Sequence, residues 1–411
     1  MVTDNSVSAS HGSNQRRIIM SKNLTIFMLN SVLVGSLFTH ADSHAMGMGS
    51  TPQKISMTAE LWDVDGKATF TQKQGYPQGL MSIKGAGAVL RNRNFDNGTI
   101  EFDINEDADS QGFTGIWFHQ HGPEKAENFY LRTEENCPGS IECIQYAPVS
   151  HGNMQWDVYP EYQRSAPVHA HGWNHVKLVI SGKRMNVYIN RETTPSLQVG
   201  HLEGDYATGA IQLRGDATYA NFTLTPDATE GLAAEPVKDP TDADPRFVRH
   251  WLVSTAATLA RGGEAKFADM PYTDVNWEDI SAERKGYVNL SRNYGTGSGT
   301  PDLIWLKTQI NSTQIQTKHV ALGWARQVWI FVNGKPVYAD KNYYYPAEAR
   351  KSPMGRMSLE NGGFDLPLQS GSNEVEIAVS NDQPGKHYGW GFEFRFDDIE
   401  GVTLQKARAS M

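Results

Sequence analysis

Between Gly115 and Arg132 the sequence reads GIWFHQHGPEKAENFYLR, with a Trp, two His, two Glu, a Tyr and an Arg in eighteen residues. Three chemistries use such an inventory. His119 and His121 stand in His-x-His spacing, which on a strand puts both imidazoles on one face, as zinc and copper sites do. A third ligand is then needed, and Glu101, Asp103, Glu127 or His151 are the available groups. Carboxylates beside His119 would instead do acid–base work. The third chemistry is sugar binding: aromatic faces pack on the C–H side of a pyranose, and planar polar groups bind its hydroxyls.

The elements that carry these residues decide between them. In GIWFHQH, Ile116 and Phe118 alternate with Trp117, His119 and His121. A strand that stays regular to its end sends the second set outward together. In ENFYLR, Phe129 and Leu131 point in, whereas Asn128, Tyr130 and Arg132 point out. The run QYAPVSHGNMQWDVY adds Gln145, His151 and Trp156 at the rim. The expected ligand face is therefore Trp117, His119, His121, Tyr130, Arg132, Gln145, His151 and Trp156. Glu124 and Glu127 fall to the intervening loop as solvated or rim residues. No sequence pattern completes a metal set around the two His, so the metal reading is the weaker one.

Period-two alternation runs through the first half of the chain. GTIEFDIN puts Ile100, Phe102 and Ile104 on one face and Glu101 and Asp103 on the other. HVKLVIS and RMNVYIN repeat the pattern across a Ser181–Arg184 turn, and no amphipathic helix interrupts it. Thr225–Arg246 is rich in Pro, Asp, Ala and Glu, and reads as a linker. A second β-rich block follows, with an Asn333-Gly334 turn inside QVWIFVNGKPVYA. In that block, Trp305, Trp324, Trp329 and Trp390 are core or binding platform, and the loop NLSRNYGTGSG offers Arg292 and Tyr294. The expected fold class is all-β: two antiparallel β-sandwich (jelly-roll) domains, at 46–226 and 247–411, joined by a linker at 227–246.

The strings FDNGTIEFDI, GFTGIWFHQHG, ENFYLR, WNHVKLVISGKRMNVYIN and GHLEGDYATGAIQLRG carry a resemblance in their order. The first block resembles the concanavalin A-like lectin/glucanase superfamily in its laminin-G-like branch. That resemblance implies a jelly roll whose concave face often holds sugar, without specifying an activity. VWIFVNGKPVY and LPLQSGSNEVEIAV make the second block similar to the galactose-binding-like β-sandwiches found beside glycoside hydrolase catalytic domains. In laminarinase-type glucanases a Glu-x-Asp-x-x-Glu string carries the catalytic groups, and Glu101, Asp103 and Glu106 fit it here. Retention needs two carboxylates about 5–5.5 Å apart, and in a regular strand Glu106 points away from Glu101 unless a bulge realigns it. The catalytic candidates are Glu101, Asp103 and His119. Glu106, Asp107 and Asp109 form an acidic loop that would hold a structural Ca²⁺, as some laminin-G-like domains do.

Composition bounds the remaining possibilities. The chain has 411 residues and a formal net charge of −9, which argues against a nucleic-acid partner. Leu24–Phe38 is an apolar run suited to a signal peptide and short for a membrane span, with small residues before Ala41 and Ala45 as two cleavage points. Residues 1–45 are thus expected to be leader, and the mature chain secreted or periplasmic without a membrane span. Met20 is an alternative start. Cys137 and Cys143 are the two cysteines, and in an exported chain their spacing reads as a local disulfide rather than free thiols. Neither a Gly-x-Ser-x-Gly elbow nor a phosphate loop is present. The partner expected is an oligo- or polysaccharide. A sugar hydrolase using carboxylates or His on the same face is the alternative, and a Ca²⁺-dependent adhesion module the third.

Overall fold

In the computed structural model Ile100, Phe102 and Ile104 are fully buried, while Glu101 and Asp103 on the opposite side of the Gly98–Glu106 strand are half-buried. That alternation builds the molecule. The structure describes residues 51–107, 110, 113–137, 139–271, 276–295, 302–382 and 388–405. The expected leader, at 1–45, lies outside the described residues, as does Asp109.

Two eight-stranded sheets are formed by the first block. The back sheet runs Leu197–Val199, Arg184–Ile189, Asn174–Ser181, Gly98–Glu106, Ala217–Pro226, Tyr76–Lys84 and Lys67–Lys73, with Gln53–Lys54 added on Ala217–Pro226. The front sheet runs Asn153–Met154, Ile144–Ser150, Ala126–Leu131, Thr114–Gln120, Gly209–Arg214, Gly87–Phe95 and Trp62–Val64, with Gln163–Arg164 on its Ile144–Ser150 strand. Every pairing is antiparallel, so inward residues of both sheets meet in one core that holds Phe102, Ile116, Phe118, Phe129, Leu178 and Val187. The Asn174–Ser181 and Arg184–Ile189 hairpin turns through Gly182 at φ 52°, where a glycine carries no Cβ penalty.

The second block forms an eleven-stranded sheet that folds over on itself. One long strand, Gln316–Val332, serves both layers. Its first part pairs with Gly362–Leu368 and Gly391–Phe396, and its second part with Gly371–Ser380 and Lys335–Asn342. The change of partners falls at Arg326, whose φ of +84° puts a non-glycine residue in the left-handed region. The Asn333-Gly334 turn has φ of 50° and 74°, the conformation this dipeptide favours in a two-residue hairpin. Trp305, Trp324 and Trp390 are fully buried and Trp329 is nearly so, so all four are packing residues. The fold is all-β with antiparallel sandwich sheets, as the alternation predicts.

The segment 227–246 is not a free tether. Ala234 accepts from the Lys183 amide and Gly200 from the Val237 amide, so the segment is strapped along the first sandwich. Asp239 then receives the Lys285 amide of the second sandwich at 2.9 Å. Gly49–Met411 forms one compact unit, and buried charge joins its two sandwiches. Asp157 and Arg326 pair at 2.9 Å with side-chain exposures of 0% and 2%. Glu203 accepts from Tyr162 and Arg284, and Arg292 reaches across to the Glu203 carbonyl at 2.6 Å. Asn289 donates to Gln155 at 2.9 Å. The described part of NLSRNYGTGSG is thus a short helix, Leu290–Tyr294, whose Arg292 clamps the two sandwiches rather than facing a ligand.

Candidate functional site

The expected ligand face is divided by three features: a bulge, a turn and the second sandwich. Trp117 pairs with Gln212 and Gln120 with Ala210, so Phe118 and His119 together oppose Ile211. This is a β-bulge, and His119 takes φ +48° within it. The side-chain alternation slips by one residue. His119 is fully buried, stacked 5.8 Å from Phe95, with Nε2 2.8 Å from the Asp96 carbonyl. Burial lowers its pKa, which favours the neutral form of the imidazole. His121 is exposed beyond the strand, with its ring 5.7 Å from Tyr206. The His-x-His pair therefore does not converge. Gln120 takes the position that regular alternation reserves for a neighbour of Trp117.

Glu127 also departs from expectation. It lies within the Ala126–Leu131 strand, not in a loop, and is fully buried. Tyr146 donates to it at 2.6 Å, and the Gly204 amide at 3.3 Å. These donors favour the carboxylate, but desolvation outweighs them and raises the pKa to about 7.

Tyr130, Gln145 and Trp156 do lie beside one another, but under the second sandwich. Their exposures are 1%, 0% and 2%. Tyr130 donates to Gln145, Gln145 donates to Gln163 at 3.1 Å, and Arg356 closes the chain on Gln163 at 2.8 Å. Tyr344 and Tyr388 meet the Trp156 ring edge-on at 4.8 and 5.2 Å. Arg132 lies over Phe113, 4.7 Å from its centroid, and pairs with Glu142 at 3.5 Å. His151 occupies the exposed turn between Ile144–Ser150 and Asn153–Met154 at φ 49°.

The part of the face left open centres on Trp117. Arg214, two residues beyond Gln212 on the adjacent strand, lays its guanidinium 3.9 Å from the Trp117 ring centroid. Its Nη1 donates to Gln212 Oε1 at 3.0 Å, and Gln120 Nε2 donates to the same oxygen at 2.9 Å. A Cβ on Gly87 would fall 2.1 Å from Gln212 Nε2, so the glycine leaves the space this amide occupies. A hollow of about 700 Å³ opens beside Trp117, Arg214 and Gly87, bordered by Asp65, Phe113, Asn128, Met154, Asp216 and Tyr388, while Gln120 and Gln212 stay buried. Gly85 donates its amide to Asp216 at 2.6 Å, which fixes that rim. Alternation in GAIQLRG placed Gln212 and Arg214 on one face and was the available signal for them. Nothing local to the front sheet signals Tyr388, which comes from the second sandwich.

The catalytic candidates Glu101 and Asp103 are on the outer face of the back sheet, away from Trp117. There His175 bonds Asp103 at 2.7 Å and lies 3.6 Å from Glu101, while Asn221 donates to Asp103 at 2.6 Å. These two carboxylates raise the His175 pKa to about 9. Glu106 accepts from Ser110 at 2.7 Å and from Thr133 at 2.6 and 3.0 Å, so it does not join Glu101 in a catalytic pair. Glu101 and Asp103 thus share no face with the buried His119. Asp107 pairs with Lys84 at 3.5 Å. Among the described residues no group of three or more His, Cys, Asp or Glu gathers to hold a metal. Cys137 and Cys143 are disulfide-bonded. Among the described residues no helix is long and apolar enough to cross a membrane.

No family model and no curated protein matches the chain. Solved structures similar to it include the carbohydrate-binding module CBM66 from Bacillus subtilis, at 14% identity over 39% of this chain and 91% of that one, with a TM-score of 0.30. A protein of unknown function with a galectin-like fold, also from Bacillus subtilis, is 12% identical over 43% and 94%, with a TM-score of 0.30. Domain 4 of an extracellular arabinanase from Geobacillus stearothermophilus, solved with arabinotriose, is 12% identical over 44% and 85%, with a TM-score of 0.27.

Proposed function

We propose that this protein is an exported carbohydrate-binding protein whose glycan lies in the front-sheet groove around Trp117. The observation that carries this reading is the stacked Trp117–Arg214 pair lining an open hollow of about 700 Å³, with Arg214 braced by the buried Gln212 amide, which Gln120 also bonds. An aromatic face supplies the apolar contact a pyranose needs, and fixed planar groups supply directional hydrogen bonds. The second sandwich, 247–411, acts here as a wall of the groove through Tyr388, beside the first domain at 46–226. Export is supported by the apolar Leu24–Phe38 run and the Cys137–Cys143 disulfide.

The expected outcome is retention on a polysaccharide affinity gel or glycan array that is lost in Trp117→Ala and strongly weakened in Arg214→Ala. A wild-type protein that no glycan retains would end this reading. Hydrolysis is a second reading, because Asp65 and Asp216 both border the hollow. It predicts reducing-end release by the wild type that stops in Asp216→Asn. Binding without release by the wild type would remove it.

A further inference from the structure

The Trp117 hollow ends at Phe113, and a second hollow of about 630 Å³ begins there. Phe113 borders both. It is 37% exposed and holds φ +67°, an unfavourable conformation for a bulky residue. Such strain persists only where neighbours enforce it, and it concentrates at ligand clamps. Here the Tyr130 ring packs at a tilt with its centroid 5.3 Å away and Arg132 covers the ring at 4.7 Å, fixing Phe113 as a ridge between the hollows. The facing wall is also shared. Tyr388 borders the first hollow and Tyr344 the second, and both press on the buried Trp156 between them. Tyr345, 50% exposed, extends the second hollow with its ring 4.5 Å from Tyr344.

Glu106, Asp107, Glu134 and Glu142 line the second hollow against Arg132, so its walls carry an acidic excess that repels anionic ligands. Arg132 and Arg356 both pair with Glu142, and Tyr344 donates to Glu142 at 2.9 Å. Glu106 is occupied by Ser110 and Thr133. An acidic excess beside the aromatic surface of Phe113, Tyr344 and Tyr345 suits hydroxyl-bearing rather than anionic units.

We propose that the two hollows are one cleft for a linear neutral oligosaccharide, with its distal units held against Tyr344 and Tyr345 of the second sandwich. This rests on the sugar-binding reading above and adds to it chain length, neutrality and a contribution from the second sandwich. The test is calorimetric titration of the full chain with disaccharides and hexasaccharides of β-1,3-glucan, cellulose, xylan, agarose and alginate. For the neutral series that binds, the hexasaccharide is expected to bind about tenfold tighter than the disaccharide, the scale of one added aromatic contact. Tyr345→Ala should remove that gain and leave the disaccharide affinity unchanged, whereas Trp117→Ala should abolish both. Equal affinities for the two lengths would overturn the proposal while leaving the sugar reading intact. So would a length gain that survives both Tyr345→Ala and Phe113→Ala, or an alginate hexasaccharide as the tightest ligand. Absence of binding to every sugar would sink both.

Discussion

Glu127 shows how burial overrides local partners at the scale of one residue. Its folded pKa of about 7 lies above the ordinary carboxylate value of 4.5, so the folded state holds a proton that the unfolded state releases. Stability from this group is present below the unfolded value and is lost as pH rises through about 7. Glu127→Gln keeps an acceptor for Tyr146 and cannot ionise. The variant should show a shallower fall in melting temperature between about pH 5 and pH 8 than the wild type, read by thermal denaturation. An unchanged slope would mean the folded carboxyl titrates normally. His175 has the opposite sign of charge: its pKa of about 9, raised by Asp103 and Glu101, stabilises the fold below its unfolded value, with that contribution lost as pH rises through about 9. His175→Gln should flatten the alkaline arm of the same stability profile.

The decisive element is the Thr114–Gln120 strand. Its bulge turns His119 inward and brings Gln120 toward Gln212, replacing a presumed histidine face with a buried amide pair that braces Arg214. That brace depends on the neighbouring strand as well. Gly87→Ala would put a methyl 2.1 Å from Gln212 Nε2, forcing the amide off its Gln120 and Arg214 contacts. Weakened glycan retention by a variant that still folds, at a melting temperature lowered by displacing a buried amide, is the expected result. Retention equal to wild type would show that the Gln212 brace on Arg214 does not contribute to ligand binding. Ile116, Phe118, Phe129 and Leu131 were readable as core because period-two alternation follows from strand geometry. The slip at His119 was not readable, because a bulge changes pairing across strands and leaves no mark in the composition of one strand.

For the whole molecule, the ion pair between Asp157 and Arg326 ties the sandwiches into one body. Both side chains are buried, and Asp157 also accepts the Gly389 amide at 3.0 Å. Removing one partner from a buried pair leaves the other charge uncompensated, at a cost of about 3–5 kcal/mol. Asp157→Ala should therefore lower stability by that order and, in scanning calorimetry, separate into two transitions a wild-type unfolding that occurs as one. A wild type already showing two transitions would refute this coupling.

Much of this architecture was legible in the chain itself. Alternating strands, the Asn333-Gly334 hairpin and the Cys137–Cys143 pairing follow from short-range periodicity, turn conformation and spacing, which act over a few residues. Trp117 could be placed on the outer face for the same reason. The fate of the rest of that face was a tertiary matter. Tyr130 was expected outward with Gln145 and Trp156 at its rim, yet Tyr344, Arg356 and Tyr388 arrive from some two hundred residues later and all three are buried. Alternation fixes which side of a sheet a residue takes. Only the docking of the second sandwich determines whether that side meets solvent, a ligand or protein.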